Sequence, residues 1–183
     1  KKLYGDEVIT YTNNSPDQLD YLWVQLDQNI RSKDSPSLIH DSKSVGPAYI
    51  PDTFEKEFIN EPFDGGFNIE YVNGMDNKPL DYFINQTMMR IDMPSPLKTG
   101  ETFSFKIKWW YNINYRLGDG GRSGYETFPN DDNRAYTIAQ FFPRMCVYDE
   151  VEGWQNYQFW GDGEFALPFG NYEVNITVPA DHI

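Results

Sequence analysis

The chain has 183 residues, 39% of them hydrophobic and 17% aromatic, with 28 acidic against 15 basic side chains and a formal charge of −13. That length and apolar content are enough for one domain with a true core, and they exclude a disordered tail. The acid excess argues against a nucleic-acid partner, because gripping phosphates takes a clustered basic face, and no apolar run approaches the roughly 18 residues of a membrane span.

Period-two alternation dominates the chain and predicts strands. The first candidate is Val8–Thr12. In the second, Leu22, Val24 and Leu26 alternate with Trp23, Gln25 and Asp27. A long loop is expected over Ser32–Ala48, followed by the one candidate for helix, a short turn around Pro51–Ile59. Phe67–Val72 and Thr87–Met93 read as further strands, the first closed by Asn73-Gly74. Pro94-Ser95-Pro96-Leu97-Lys98-Thr99-Gly100 reads as a turn. The clearest strand follows it. Phe103, Phe105, Ile107, Trp109, Tyr111 and Ile113 share one face, with Ser104, Lys106, Lys108 and Asn112 opposite, where Trp110 marks a partly covered surface. The Gly-rich stretch Leu117–Asn133 is expected as loop, Tyr136–Phe141 as strand. Tyr172, Val174, Ile176 and Val178 alternate with Glu173, Asn175 and Thr177 as a final strand. About seven strands, no βα alternation and no internal repeat predict a mostly β fold over 1–183, antiparallel sheets packed as a sandwich in a single domain. Thirteen Tyr, thirteen Phe and five Trp suit pleated surfaces.

Catalytic constellations are sparse. A zinc site needs three or four converging Cys, His or carboxylate ligands, and the chain offers His40, His182 and Cys146 without HExxH, CxxC or HxH. No metal ligand and no cofactor site is therefore expected within it. Cys146, the single cysteine, lies in the apolar run Met145-Cys146-Val147-Tyr148 and reads as a small buried hydrophobe. Gly121-Arg122-Ser123-Gly124 has the wrong spacing for a nucleophile elbow. Gly118-Asp119-Gly120-Gly121 and Asn130-Asp131-Asp132-Asn133 lack the order of a calcium loop. Asn13, Asn85 and Asn175 each open an N-x-[ST] sequon. The aromatic clusters Trp109-Trp110-Tyr111 and Trp154-Gln155-Asn156-Tyr157-Gln158-Phe159-Trp160 serve either packing or the stacking of a sugar. Gln140, sharing a period-two face with Tyr136 and Ile138 just before Pro143, either caps a core edge or projects into a cleft.

Three segments in order resemble the N-terminal domain of the aminopeptidase N family, the gluzincin zinc metallopeptidases that include leukotriene hydrolases. Ile9-Thr10-Tyr11-Thr12-Asn13-Asn14-Ser15-Pro16-Asp17-Gln18-Leu19 with Leu22–Asn29 is similar to the strand, N-N-S-P-D turn and strand of bacterial members. Ala139-Gln140-Phe141-Phe142-Pro143-Arg144-Met145-Cys146-Val147-Tyr148-Asp149-Glu150 is similar to the family's T-Q … R-x-x-F-P-C-x-D-E-P segment. Gly163–Val174 through Thr177-Val178-Pro179-Ala180 resembles the strand pair that ends the family's first domain. The departures are Val151 in place of the proline of D-E-P, and a shorter interval from Gln140 to Asp149.

The resemblance implies a saddle-like domain of several sheets whose first strands precede Lys1 and whose partner is a following catalytic domain carrying HExxH and zinc. It implies that Gln140 reaches from this domain to hold the free α-amine of a peptide substrate. The expected function is thus a non-catalytic domain walling the substrate cleft of a zinc-dependent aminopeptidase, inactive alone. The alternatives are a carbohydrate-binding sandwich and a scaffold domain of a homologue that is no peptidase.

Overall fold

The computed structural model describes residues 1–36, 63–116, 122–128, 133–161 and 166–182. The chain is mostly β, built from several antiparallel sheets, as the alternation predicts. Strands β1 (Lys2–Thr12), β2 (Leu19–Gln25), β3 (Asn68–Gly74), β4 (Tyr82–Asn85), β5 (Met88–Leu97) and β6 (Thr102–Asn112) make the two main sheets, together with β9 (Arg144–Met145). Two small sheets, β7 (Gly124–Thr127) with β8 (Arg134–Thr137) and β10 (Tyr148–Asp149) with β11 (Gly153–Trp154), pair separately and pack Tyr125, Tyr136 and Trp154 against the core. A 3-10 turn, Asp27–Arg31, follows β2.

The first sheet runs β1-β6-β3 and the second β4-β5-β2-β9. Strand β6 lies between two neighbours. It pairs with β1 from Lys2↔Asn112 to Thr12↔Thr102 without a break, and with β3 across a shift between Ile69 and Tyr71. Its apolar face, Phe105, Ile107, Trp109 and Tyr111, buries against Leu22, Val24, Met89 and Ile91 of the second sheet. Each such side chain contributes about 1.5–3 kcal/mol on leaving water. On the opposite face, Trp110 is partly covered by Tyr4 and by the Lys2 ammonium, which sits 3.4 Å from its ring centre.

One end of this core is aromatic. Phe67 stands edge-on to Trp109 and to Tyr111, with ring centres 5.2 and 5.3 Å away, and Trp109 stacks on Tyr111. Gly5 faces Trp109 across the ladder, and a Cβ at that position would come within 2.2 Å of the indole. The glycine is there because the ring occupies its side-chain space.

Several expectations are corrected. β1 begins six residues before Val8, since Gly5 and Glu7 hide its apolar period while β6 supplies a backbone partner throughout. Pro94 and Pro96 lie inside β5 rather than in a turn. They fall in the irregular stretch between Asp92 and Leu97, where β2 asks for no ladder N–H. The turn itself is Lys98–Glu101, with Gly100 at φ +79°. Strands β4 and β7 went unread because four residues are too few to display a period, and β7 lies inside the expected loop Leu117–Asn133. β8 spans Arg134–Thr137, so the ladder stops before Ile138. Tyr172–Val178 joins no ladder among the described residues and is exposed throughout, Ile176 at 76%. Alternation supplies a face, but a strand also needs a neighbour. The turn around Pro51–Ile59 and most of the loop Ser32–Ala48 lie outside the described residues.

Glu7 occupies the inner face of β1, opposite Ile107, and accepts a hydrogen bond from Trp109 Nε1 at 3.2 Å. Burial pushes its carboxyl up to about 8, Trp109 opposing the shift and Asp6 adding to it. A folded pKa above the unfolded value means that the folded state holds the extra proton. The contribution to stability is therefore complete below about pH 4.3 and is lost as pH rises through about 8. The melting temperature of Glu7→Gln minus that of the parent chain should grow between pH 5 and pH 8 and level off above. A difference that does not change with pH would place Glu7 in water.

Candidate functional site

The polar chemistry gathers where β2 leaves the sheet. Gln25 ends the strand at 1% exposure, and Asp27 and Gln28 follow at 2% and 1%. Leu26 turns inward between them, its N–H bonded to the Thr87 carbonyl at 2.7 Å. The chain thereby sets three polar side chains into the interior, each needing a partner.

Arg144 is one partner. Its position in β9 opposite Gln25 brings its guanidinium to the Asp27 carboxylate, with which it forms a close ion pair, and to Gln25 Oε1 at 3.3 Å. Burial raises the Asp27 carboxyl above the usual range, and the Arg144 charge opposes that rise. Cys146 lies beside this pair, fully buried, with Sγ 3.8 Å from Met88 Sδ. Burial pushes its thiol up to about 12, so it is a packing residue rather than a nucleophile.

Gln28 reaches the other way. Its Nε2 donates to the carbonyls of Ala139 (2.9 Å) and Gln140 (3.1 Å), while its Oε1 accepts from Arg31 Nη1 at 3.3 Å. From the opposite side, Ser123 Oγ accepts the Ala139 N–H at 2.7 Å and donates to the Ala139 carbonyl at 2.9 Å. Asn114 Nδ2 holds the Ser123 carbonyl at 2.9 Å. Ser123 and Asn114 are both buried. The bend between β8 and β9 is thus fastened on two sides.

Gln140 sits on that bend, not on a strand face with Tyr136 and Ile138. Its φ of +52° lies in the left-handed region, an arrangement that costs a residue with a Cβ on the order of 1–3 kcal/mol and persists only when its surroundings enforce it. The side chain is half-buried, and its amide makes no hydrogen bond to another described residue. Sequence reasoning named Gln140 but missed Gln28, Ser123 and Asn114. Gln28 and its bonded carbonyls are more than 110 positions apart, and no spacing rule links them.

The other candidates take structural places. Trp109 and Tyr111 are core, and Trp154 is partly buried, its ring packed on Tyr11 and Tyr148. Phe159 is buried, its N–H bonded to Thr87 Oγ1 at 2.8 Å, while Trp160 remains 50% exposed. Asn13 is buried, with Nδ2 donating to the carbonyls of Asp17 and Leu97, so its sequon is closed to a glycan in the folded chain. Asp149 accepts the N–H groups of Val151 and Glu152 and the Gln155 amide, which hold its carboxyl below the usual range. It builds the β10–β11 turn. Tyr148 Oη donates to Asp17 Oδ2 at 2.7 Å and so ties the turn after β1 to β10. His182 pairs with Asp181 and lies 5.7 Å, ring to ring, from Tyr136. His40 and most of the two candidate calcium loops lie outside the described residues. Among the described residues, no three His, Cys, Asp or Glu side chains converge.

Removing one member of a buried ion pair strands the other. Arg144→Met should destabilise the fold by about 3–5 kcal/mol in urea denaturation, and adding Asp27→Leu should recover most of that loss. A single variant within 1 kcal/mol of the parent, on the order of a surface pair, would show Asp27 solvated.

No protein-family model, curated protein or solved structure matches this chain.

Proposed function

We propose that this chain is the substrate-side β domain of a zinc-dependent aminopeptidase, walling the cleft and offering Gln140 to the free α-ammonium group of a peptide. The reading is carried by Gln140 itself, a half-buried amide without a hydrogen-bond partner among the described residues, held left-handed on a fastened bend. A carboxamide oxygen accepts from an ammonium with a charge-assisted bond, and a domain of charge −13 attracts a cationic peptide terminus. The resemblance of three ordered segments to aminopeptidase N-terminal domains supplies the reaction class. Two of those segments are joined here by the Tyr148–Asp17 hydrogen bond.

The described residues do not fit a zinc site. Cys146 is buried with a raised pKa, and His182 is engaged with Asp181 and Tyr136. No chemical step is assigned to this chain, whose part is confined to binding and to shaping the cleft. The metal ligands belong to the catalytic domain that this reading requires.

The test is Gln140→Ala in the full-length enzyme. A hydrogen bond to a charged partner is worth roughly 1.5–3 kcal/mol, so kcat/KM on a short peptide should fall about 10- to 150-fold at unchanged thermal stability. Unchanged kinetics, or a loss of stability with normal kinetics per folded molecule, returns Gln140 to a structural role.

A further inference from the structure

We propose that Gln28, acting with Ser123, is the positioning residue that aims Gln140 into the cleft. The proposal rests on the reading of Gln140 as the contact to the substrate ammonium.

The fastening exceeds what an ordinary bend needs. Both donors of the Gln28 amide are spent on consecutive carbonyls, those of Ala139 and Gln140, and the Arg31 guanidinium on Oε1 fixes which way that amide faces. Two carbonyls tied to one nitrogen set the planes of the peptides on either side of Gln140 Cα. Ser123 Oγ grips the N–H and C=O of Ala139 from the far side. With those planes set, φ at +52° follows, and with it the direction of the Gln140 Cα–Cβ bond. Glycine would adopt this φ without strain, yet the position carries a long amide.

Among the described residues, two other non-glycine positions have positive φ, Asn77 and Gln86. Gln86 lies in the tight turn between β4 and β5, and Asn77 in the turn after β3 closed by the Gly74–Lys78 hydrogen bond. There the reversal of the chain demands the conformation. Gln140 joins strands of two different sheets, β8 and β9, and no hairpin imposes its φ. The support is stiff as well. Gln28 stands on the turn that continues β2, which is paired on both sides by β5 and β9, and a side chain placed from a rigid element is held more closely than one placed from a loop.

The test compares Gln28→Leu, Ser123→Ala, Gln140→Ala and the double variant Gln28→Leu/Gln140→Ala in the full-length enzyme, with rates normalised to folded, zinc-loaded protein. A contact displaced by about 1 Å can lose up to about 100-fold. Gln28→Leu should therefore lower kcat/KM by up to about 100-fold, chiefly through KM, and by no more than Gln140→Ala does. Ser123→Ala should act in the same direction, and it keeps the question open to measurement if Gln28→Leu fails to fold. In the Gln140→Ala background, Gln28→Leu should change kcat/KM by less than about twofold, because a residue acting through Gln140 has nothing left to position. Two results overturn the proposal without touching the assignment of Gln140: silent Gln28→Leu and Ser123→Ala beside an impaired Gln140→Ala, or a Gln28→Leu loss that persists in full in the double variant. A silent Gln140→Ala removes the ammonium contact and the positioning role together.

Discussion

Strand β6 is tied to β1 along its whole length and to β3 over Phe105–Trp110, and the face it presents inward is buried from Phe105 to Tyr111. Placing a strand between two neighbours satisfies its backbone polar groups, so the side chains of its inner face can leave water without stranding an amide. Phe105, Ile107, Trp109 and Tyr111 use that freedom to bury against the second sheet. The glycine at position 5 and the carboxyl of Glu7 both answer to that stripe, one by giving way to the Trp109 ring and the other by bonding its indole N–H.

At the far end of β2 the interior changes character. Gln25, Asp27 and Gln28 are as deeply buried as the hydrocarbon core, and each is bonded to a group distant in sequence, while Gln25 Nε2 has no hydrogen-bond partner among the described residues. Apolar residues would pack there with less penalty, because an ion pair drawn out of water returns little net stability. What the polar set provides is placement. Arg144 fixes β9 against β2, and Gln28 fixes the bend that precedes β9, so the segment bearing Gln140 is located both from β2 and from the turn that follows it.

Much of this was legible in the sequence, and the division has a physical cause. Eleven alternating residues over Phe103–Ile113 and six over Leu22–Asp27 announce both the strand and its buried face, because hydrophobic period is a local property. Trp109 and Tyr111 fall on the apolar face of that alternation and lie in the core, as does Cys146, which its apolar run marks as a small buried hydrophobe. Gln25 and Asp27 fell on the face opposite the apolar stripe, where alternation suggests water. They are buried because β9 and the segment through Phe159 cover that end of the second sheet, which no local pattern foretells. Gln140 was found by resemblance, while the strand face assigned to it was wrong. Its φ depends on hydrogen bonds from Gln28 and Ser123, both remote in the chain. Local pattern reads elements, whereas the settings of a site come from long-range pairing.

The exposed alternation of Tyr172–Val178 bears on how the molecules behave towards one another. An extended run of β-branched and aromatic residues, without a ladder partner among the described residues, is the kind of template on which other chains add as strands. It contains no proline and carries one charge, Glu173, so the segment has little local protection. Long-range repulsion between bodies of charge −13 opposes such addition. Colloidal behaviour therefore follows the ionic atmosphere: salt shortens the reach of that repulsion to about 3 Å at 1 M, and acidification toward pH 4.4 removes its source.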